Sequence, residues 1–172
     1  MIQNKHKFMF AVTFTNVRSP RTQKRLALAT GYIMKLLKVP HQLQRHMLIN
    51  IKFNKKMVDV ADGWCEVVEH NRNGKPREFC IEINSQQDER MIFMTLAHEL
   101  VHVKQFATGE INEQLTKWCG KRIPPSTEYW DQPWEIEAHG REKGLYVRLC
   151  QNVLTDLDPN PYYTERPTSH VA

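Results

Sequence analysis

The chain has 172 residues, enough for one domain with a hydrophobic core, and its 41% apolar and 25% charged content is that of a globular protein. No apolar run approaches the roughly 20 residues that span a bilayer, which argues against a helical membrane protein. The net charge of +5 conceals a polarity: the first 56 residues hold 12 Lys or Arg and no acid, whereas the other 116 carry 12 basic and 19 acidic side chains. Such a basic third, residues 1–56, suits nucleic acid or an acidic partner, or is a solvated surface; no nucleic-acid motif accompanies it.

Lys5 and Lys7 precede a short apolar stretch, residues 8–14, with no small-x-small cleavage site after it. Phe8, Phe10, Val12 and Phe14 fall on alternate positions, so this stretch reads as a strand. Without an export signal, Cys65, Cys80, Cys119 and Cys150 read as reduced thiols in a cytoplasmic protein. A Cys65–Cys80 bridge across neighbouring strands is the alternative. Residues 20–39 form a predicted helix, capped by Ser19, with Pro20 at its first turn and Leu26, Ala29, Ile33, Leu36 and Leu37 as its apolar stripe. Residues 48–53 alternate as a strand. Residues 64–70 and 78–84 read as two strands joined at Asn73-Gly74, a hairpin turn signal.

A long helix is predicted over 86–108, stopped by Gly109. An irregular connection of about 20 residues follows. Pro133 opens a last helix, about 134–154, with Asp131 as its cap. Residues 1–157 then make one domain, and 158–172 a loose C-terminal tail.

The decisive motif is His98-Glu99-Leu100-Val101-His102, an H-E-x-x-H. On a helix, residues four apart share a face, so His98 and His102 can bind one tetrahedral zinc. Glu99 stands about 100° round the helix from His98 and borders the metal as a general base toward water. Phe93, Leu96, Leu100, Val103 and Ala107 form a core stripe, while Thr95, His98, His102 and Gln105 lie on another face. A catalytic zinc needs a third protein ligand. Residues 134–140 offer Glu135, His139 and Glu137; Glu135 is the preferred assignment, with the residue four positions later suited to holding a ligand imidazole from behind.

With Glu135-x-x-Ala138-His139 on a later helix, the motif resembles the gluzincin zinc metallopeptidases, and most closely their short SprT-like or minigluzincin forms of bacteria and phages. The resemblance covers about residues 95–144. It implies an α+β, zincin-like domain with an N-terminal helix, a small, mainly antiparallel sheet, the H-E-x-x-H helix and a C-terminal glutamate helix. It also implies zinc held by His98, His102 and Glu135, with Glu99 as catalytic base. Larger relatives carry Asp or Asn where this chain has His139, and SprT-like proteins use a third histidine, so His139 stays open as a ligand. By the same resemblance, residues 78–84 are the edge strand that binds extended peptide by strand addition. Trp118, Tyr129, Trp130 and Trp134 are candidates for a cleft wall or for core. The expected function is hydrolysis of peptide bonds in a peptide or protein substrate. The competing expectations are a zinc-bound module that docks nucleic acid or protein through residues 1–56, and hydrolysis of a non-peptide amide.

Overall fold

A computed structural model describes residues 10–57 and 61–162. The expected strand start at Phe8, the basic side chains Lys5 and Lys7, and tail residues 163–172 lie outside the described residues. The elements in order are β1 (Ala11–Thr15), α1 (Pro20–Leu36), α2 (His41–Gln44), β2 (Leu48–Asn54), β3 (Gly63–His70), β4 (Pro76–Asn84), α3 (Glu89–Thr108), β5 (Lys117–Trp118), β6 (Lys121–Arg122) and α4 (Pro133–Asn152), with short 3-10 turns at Lys55–Met57 and Tyr129–Asp131.

Helix α1 starts as the sequence predicts: Ser19 Oγ accepts from the Thr22 amide at 3.3 Å, and Pro20 occupies the first turn. The β3–β4 hairpin also forms, with Gly74 in the left-handed region at φ 66°. Helix α3 starts three residues later than expected, because Asp88 caps it by accepting from the Met91 amide at 2.8 Å. Helix α4 has Gln132, not Asp131, before its first turn, and no side chain caps it; Asp131 belongs to the preceding 3-10 turn.

The sheet order is β1-β2-β4-β3, and this corrects the expected antiparallel character. β1 pairs with β2 and β2 with β4 in parallel; only β3 runs antiparallel to β4. The physical reason is the connection: α1 carries the chain back to the start of the sheet, so β1 and β2 share a direction. The hairpin then docks by β4, which leaves β3 outermost. The peptide-binding edge expected at residues 78–84 is therefore misplaced: β4 is central, and the edge strand is β3.

Register sorts the two sheet faces. Val12, Ile49, Phe79 and Val67 align in one row, and Phe14, Ile51, Ile81 and Cys65 in the next, facing the helices. The opposite face carries Thr15, Lys52, Glu82 and Trp64, with the Lys52 ammonium 2.6 Å from Glu82. Helix α3 lies between this apolar face and helices α1 and α4, and every residue from Phe93 to Val103 is buried. The chain stays pinned beyond residue 157: the Tyr146 hydroxyl donates to the Asp158 carbonyl at 2.7 Å, and Arg90 donates to the carbonyls of Asn160 and Tyr162. All four cysteines are free. Among the described residues no helix is long and apolar enough to cross a membrane.

Gly109 ends α3 at φ 77°, where an added Cβ meets no atom within 4 Å. Gly109→Ala is expected to lower stability by about 1 kcal/mol through backbone strain alone. Denaturant titration of the two proteins measures it.

Candidate metal centre

Residues 98 and 102 stand one turn apart in the middle of α3, both less than a tenth exposed and bordering a cleft. Helix α4 crosses α3 and brings Glu135, from its own first turn, against both rings. The His98 and His102 Nε2 atoms are 3.1 Å apart. Glu135 straddles them, with Oε2 3.3 Å from His98 Nε2 and Oε1 3.5 Å from His102 Nε2.

Those separations can be compared with what a cation requires. Ligand atoms about 2.0–2.1 Å from a tetrahedral ion stand about 3.3 Å from one another. The two Nε2 atoms and the two Glu135 oxygens that face them stand at about that spacing, a donor set of two imidazoles and one carboxylate. Each ring is also held from behind, which turns Nε2 toward the shared centre. His98 Nδ1 lies 2.9 Å from Glu142 Oε2, and His102 Nδ1 lies 2.8 Å from Gln105 Oε1.

His139 is the neighbouring alternative. His98, Glu135 and His139 form a His/Glu cluster whose ligand atoms all lie within 4.8 Å, suited to holding a metal ion. Yet both His139 nitrogens face other groups: Nε2 meets the Tyr129 hydroxyl at 3.2 Å and Nδ1 meets Glu142 Oε2 at 3.2 Å. Trp130 also lies over the ring, with centroids 4.9 Å apart. Glu137 turns away from the rings to Lys104 and Arg141. The Tyr129 hydroxyl donates to Glu135 Oε2 at 2.8 Å, so it steadies the carboxylate from the cleft side.

Proton affinities follow from this packing. Burial by itself would lower the His98 pKa, but hydrogen bonds to Glu135 and Glu142 and the nearby Glu99 charge outweigh it and raise it to about 10. His102 is raised in the same way against the same opposing burial. Burial pushes the Glu135 carboxyl up, yet the two imidazoles and Tyr129 hold it far below the usual carboxylate range. Glu99 is dominated by burial, which lifts it to about 7 although His102 and His98 pull the other way.

Glu99 owes its place to a glycine. In the sheet register Phe53, Ile83 and Gly63 form the third row, and Gly63 supplies no side chain to it. A Cβ on Gly63 would lie 2.7 Å from Glu99 Oε1 and collide with Thr95 Cγ2. The carboxylate therefore fills the space that β3 leaves at the sheet edge. It opens onto a cleft of about 490 Å³, whose walls include Trp64 and Cys65 from β3, Met94 from α3, and Tyr129, Trp130 and Trp134. Three of the four expected aromatics thus reach the cleft, while Trp118 packs at the margin of the core.

Gly63 and Glu142 were not singled out from the sequence. Glu142 had a signal, because Glu135, His139 and Glu142 recur at the four- and three-residue steps of one helix face. Gly63 had none, since its role depends on which strand lies against α3. No family model, curated protein or solved structure matches the chain.

Gly63→Ala is expected to cost about 1–3 kcal/mol through overpacking against Thr95 and Glu99, read as a lowered melting temperature. A second expectation concerns protons. Below about pH 10 His98 holds a proton shared with its carboxylate partners, and a divalent cation at the same nitrogen must displace it. Metal binding at pH 7 should therefore release protons, and affinity should fall as pH is lowered. Calorimetric titration in buffers of different ionisation enthalpy measures the release; a buffer-independent heat would contradict it.

Proposed function

We propose that this protein is a zinc-dependent peptidase with a zincin-like domain of the minigluzincin kind. His98, His102 and Glu135 are its metal ligands and Glu99 is its general base. The observation that carries this reading is the convergence of His98 Nε2, His102 Nε2 and the two Glu135 oxygens, at separations of 3.1–3.5 Å, beside the buried Glu99 carboxylate on the wall of a cleft. Two imidazoles and one carboxylate, with one position left for water or substrate, is a donor set that suits catalytic zinc.

When bound, zinc supplies a Lewis acid that polarises a carbonyl oxygen and makes water more acidic. The remaining steps fall to the chain's own groups. With its pKa lifted to about 7 by burial, the Glu99 carboxylate is suited to take a proton from the attacking water near neutral pH and return it to the leaving amine nitrogen. Glu142 and Gln105 hold the imidazoles in orientation from their Nδ1 side, and the Tyr129 hydroxyl steadies Glu135. Among the described residues strand β3 pairs only with β4, so its outer backbone groups are suited to pair with an extended peptide laid along the cleft. A peptide held there runs past Gly63, where the absence of a side chain brings its backbone close to Glu99.

The test is cleavage of an unfolded protein by zinc-loaded parent and by Glu99→Gln. The substitution is expected to reduce turnover by about 10²–10⁴-fold with the metal retained. In parallel, Glu135→Ala is expected to lose zinc and His139→Ala to keep it. Turnover unaffected by Glu99→Gln, or zinc lost only from the His139 variant, overturns the assignment. A zinc-loaded protein that cleaves nothing but binds nucleic acid in a salt-dependent way favours the second reading, a docking module acting through its basic N-terminal third.

A further inference from the structure

Gln105 is fully buried and lies one turn beyond His102 on α3. Its amide spans the contact between α3 and α4. At one end, Nε2 donates to the Trp134 carbonyl at 3.1 Å and to Glu137 Oε2 at 3.0 Å. At the other end, Oε1 faces His102 Nδ1 at 2.8 Å.

The orientation of this amide follows from its partners. A backbone carbonyl has only lone pairs to offer, and so does a carboxylate held as an anion by Lys104 and Arg141. The end of Gln105 that meets them must be the NH2. The flipped amide would set three oxygens against one another without a proton, in a place closed to water. The Gln105 oxygen is thereby committed to His102. As an acceptor it requires hydrogen on Nδ1, so the His102 nitrogen left to bind a cation is Nε2, on the side of Glu135 and His98. The Gln105 Nε2 group donates to the carbonyl of Trp134, the residue before Glu135. One side chain thus sets the ring on α3 and the start of the ligand-bearing turn on α4.

We infer that Gln105, locked by the Trp134 carbonyl and Glu137, is the positioning residue that fixes the tautomer of His102 and its spacing from Glu135, and so sets the affinity of the site for its metal. This rests on the metal-site reading above.

The experiment measures zinc affinity by chelator competition for the parent, Gln105→Leu and Leu149→Ala. The last opens a cavity in the α4 core away from the ligands and reports what loosened packing does by itself. Melting curves in chelator accompany each. Gln105→Leu is expected to bind zinc about 10–100-fold more weakly, while Leu149→Ala stays within about threefold of the parent at comparable loss of stability. A Gln105→Leu protein that folds and binds zinc within about twofold of the parent overturns the inference. So does a Leu149→Ala protein that loses as much affinity as Gln105→Leu. If Gln105→Leu fails to fold, nitrogen-15 spectra of the zinc-loaded parent decide. A slowly exchanging ring proton on His102 Nδ1, directed at an amide oxygen, is expected; zinc on Nδ1, or no such proton, overturns it. A parent that binds no zinc overturns the metal-site reading itself, which separates the two failures.

Discussion

Two imidazoles and a carboxylate on consecutive turns of α3 are each less than a tenth exposed. Ionisable groups so far from water persist only where hydrogen bonds and opposite charges replace the lost hydration. Helix α4 meets most of that demand: Glu135 faces both rings, and Glu142 backs His98. Gln105, from α3 itself, backs His102. The crossing of α3 and α4 is for that reason more than apolar packing. It is held at one end by the ligand cluster and at the other by Lys104, Glu110, Glu137 and Arg141, which form a charged brace around Gln105. Loosening either helix would leave charges without partners, so the geometry of the site and the stability of the fold depend on the same contacts.

The sheet makes the complementary contribution. Its helix-facing rows are filled with aliphatic, aromatic and cysteine side chains, but Gly63 at the edge adds no side chain. That omission lets a polar side chain of α3 reach the margin of an apolar surface, where it is buried enough to gain proton affinity and yet borders the cleft. Because β3 is outermost among the described strands, the same place lies at a sheet edge. A strand edge, the buried Glu99 carboxylate and the cluster of His98, His102 and Glu135 are brought together where three elements meet: β3, α3 and the start of α4.

The polar rim has its own logic. Tyr129 and Trp130 come from a short 3-10 turn just ahead of α4 and touch Glu135 and His139. Trp130 is 70% and Tyr129 46% exposed. Large aromatic surfaces left in water beside a concave site are suited to grip apolar parts of a ligand.

Local chemistry was legible in the sequence wherever it depends on residues close together along the chain. The N-cap of α1, the Asn73-Gly74 turn, the left-handed stop at Gly109 and the spacing of His98, Glu99 and His102 are all set within a few residues of one another, whereas α1 ends at Leu36 and not at the expected residue 39. Glu135 could be proposed from its place at the start of a helix, but its closeness to both His98 and His102 depends on the direction in which α4 crosses α3. Strand order was not legible, because alternation of apolar residues is the same in a central and an edge strand. This is why residues 78–84 read as the edge when β3 occupies it. Gly63 and Gln105 lie at the same limit: one acts by what it leaves out opposite α3, the other by linking two helices. Such roles exist only once distant segments are packed together, so tertiary structure alone decided them.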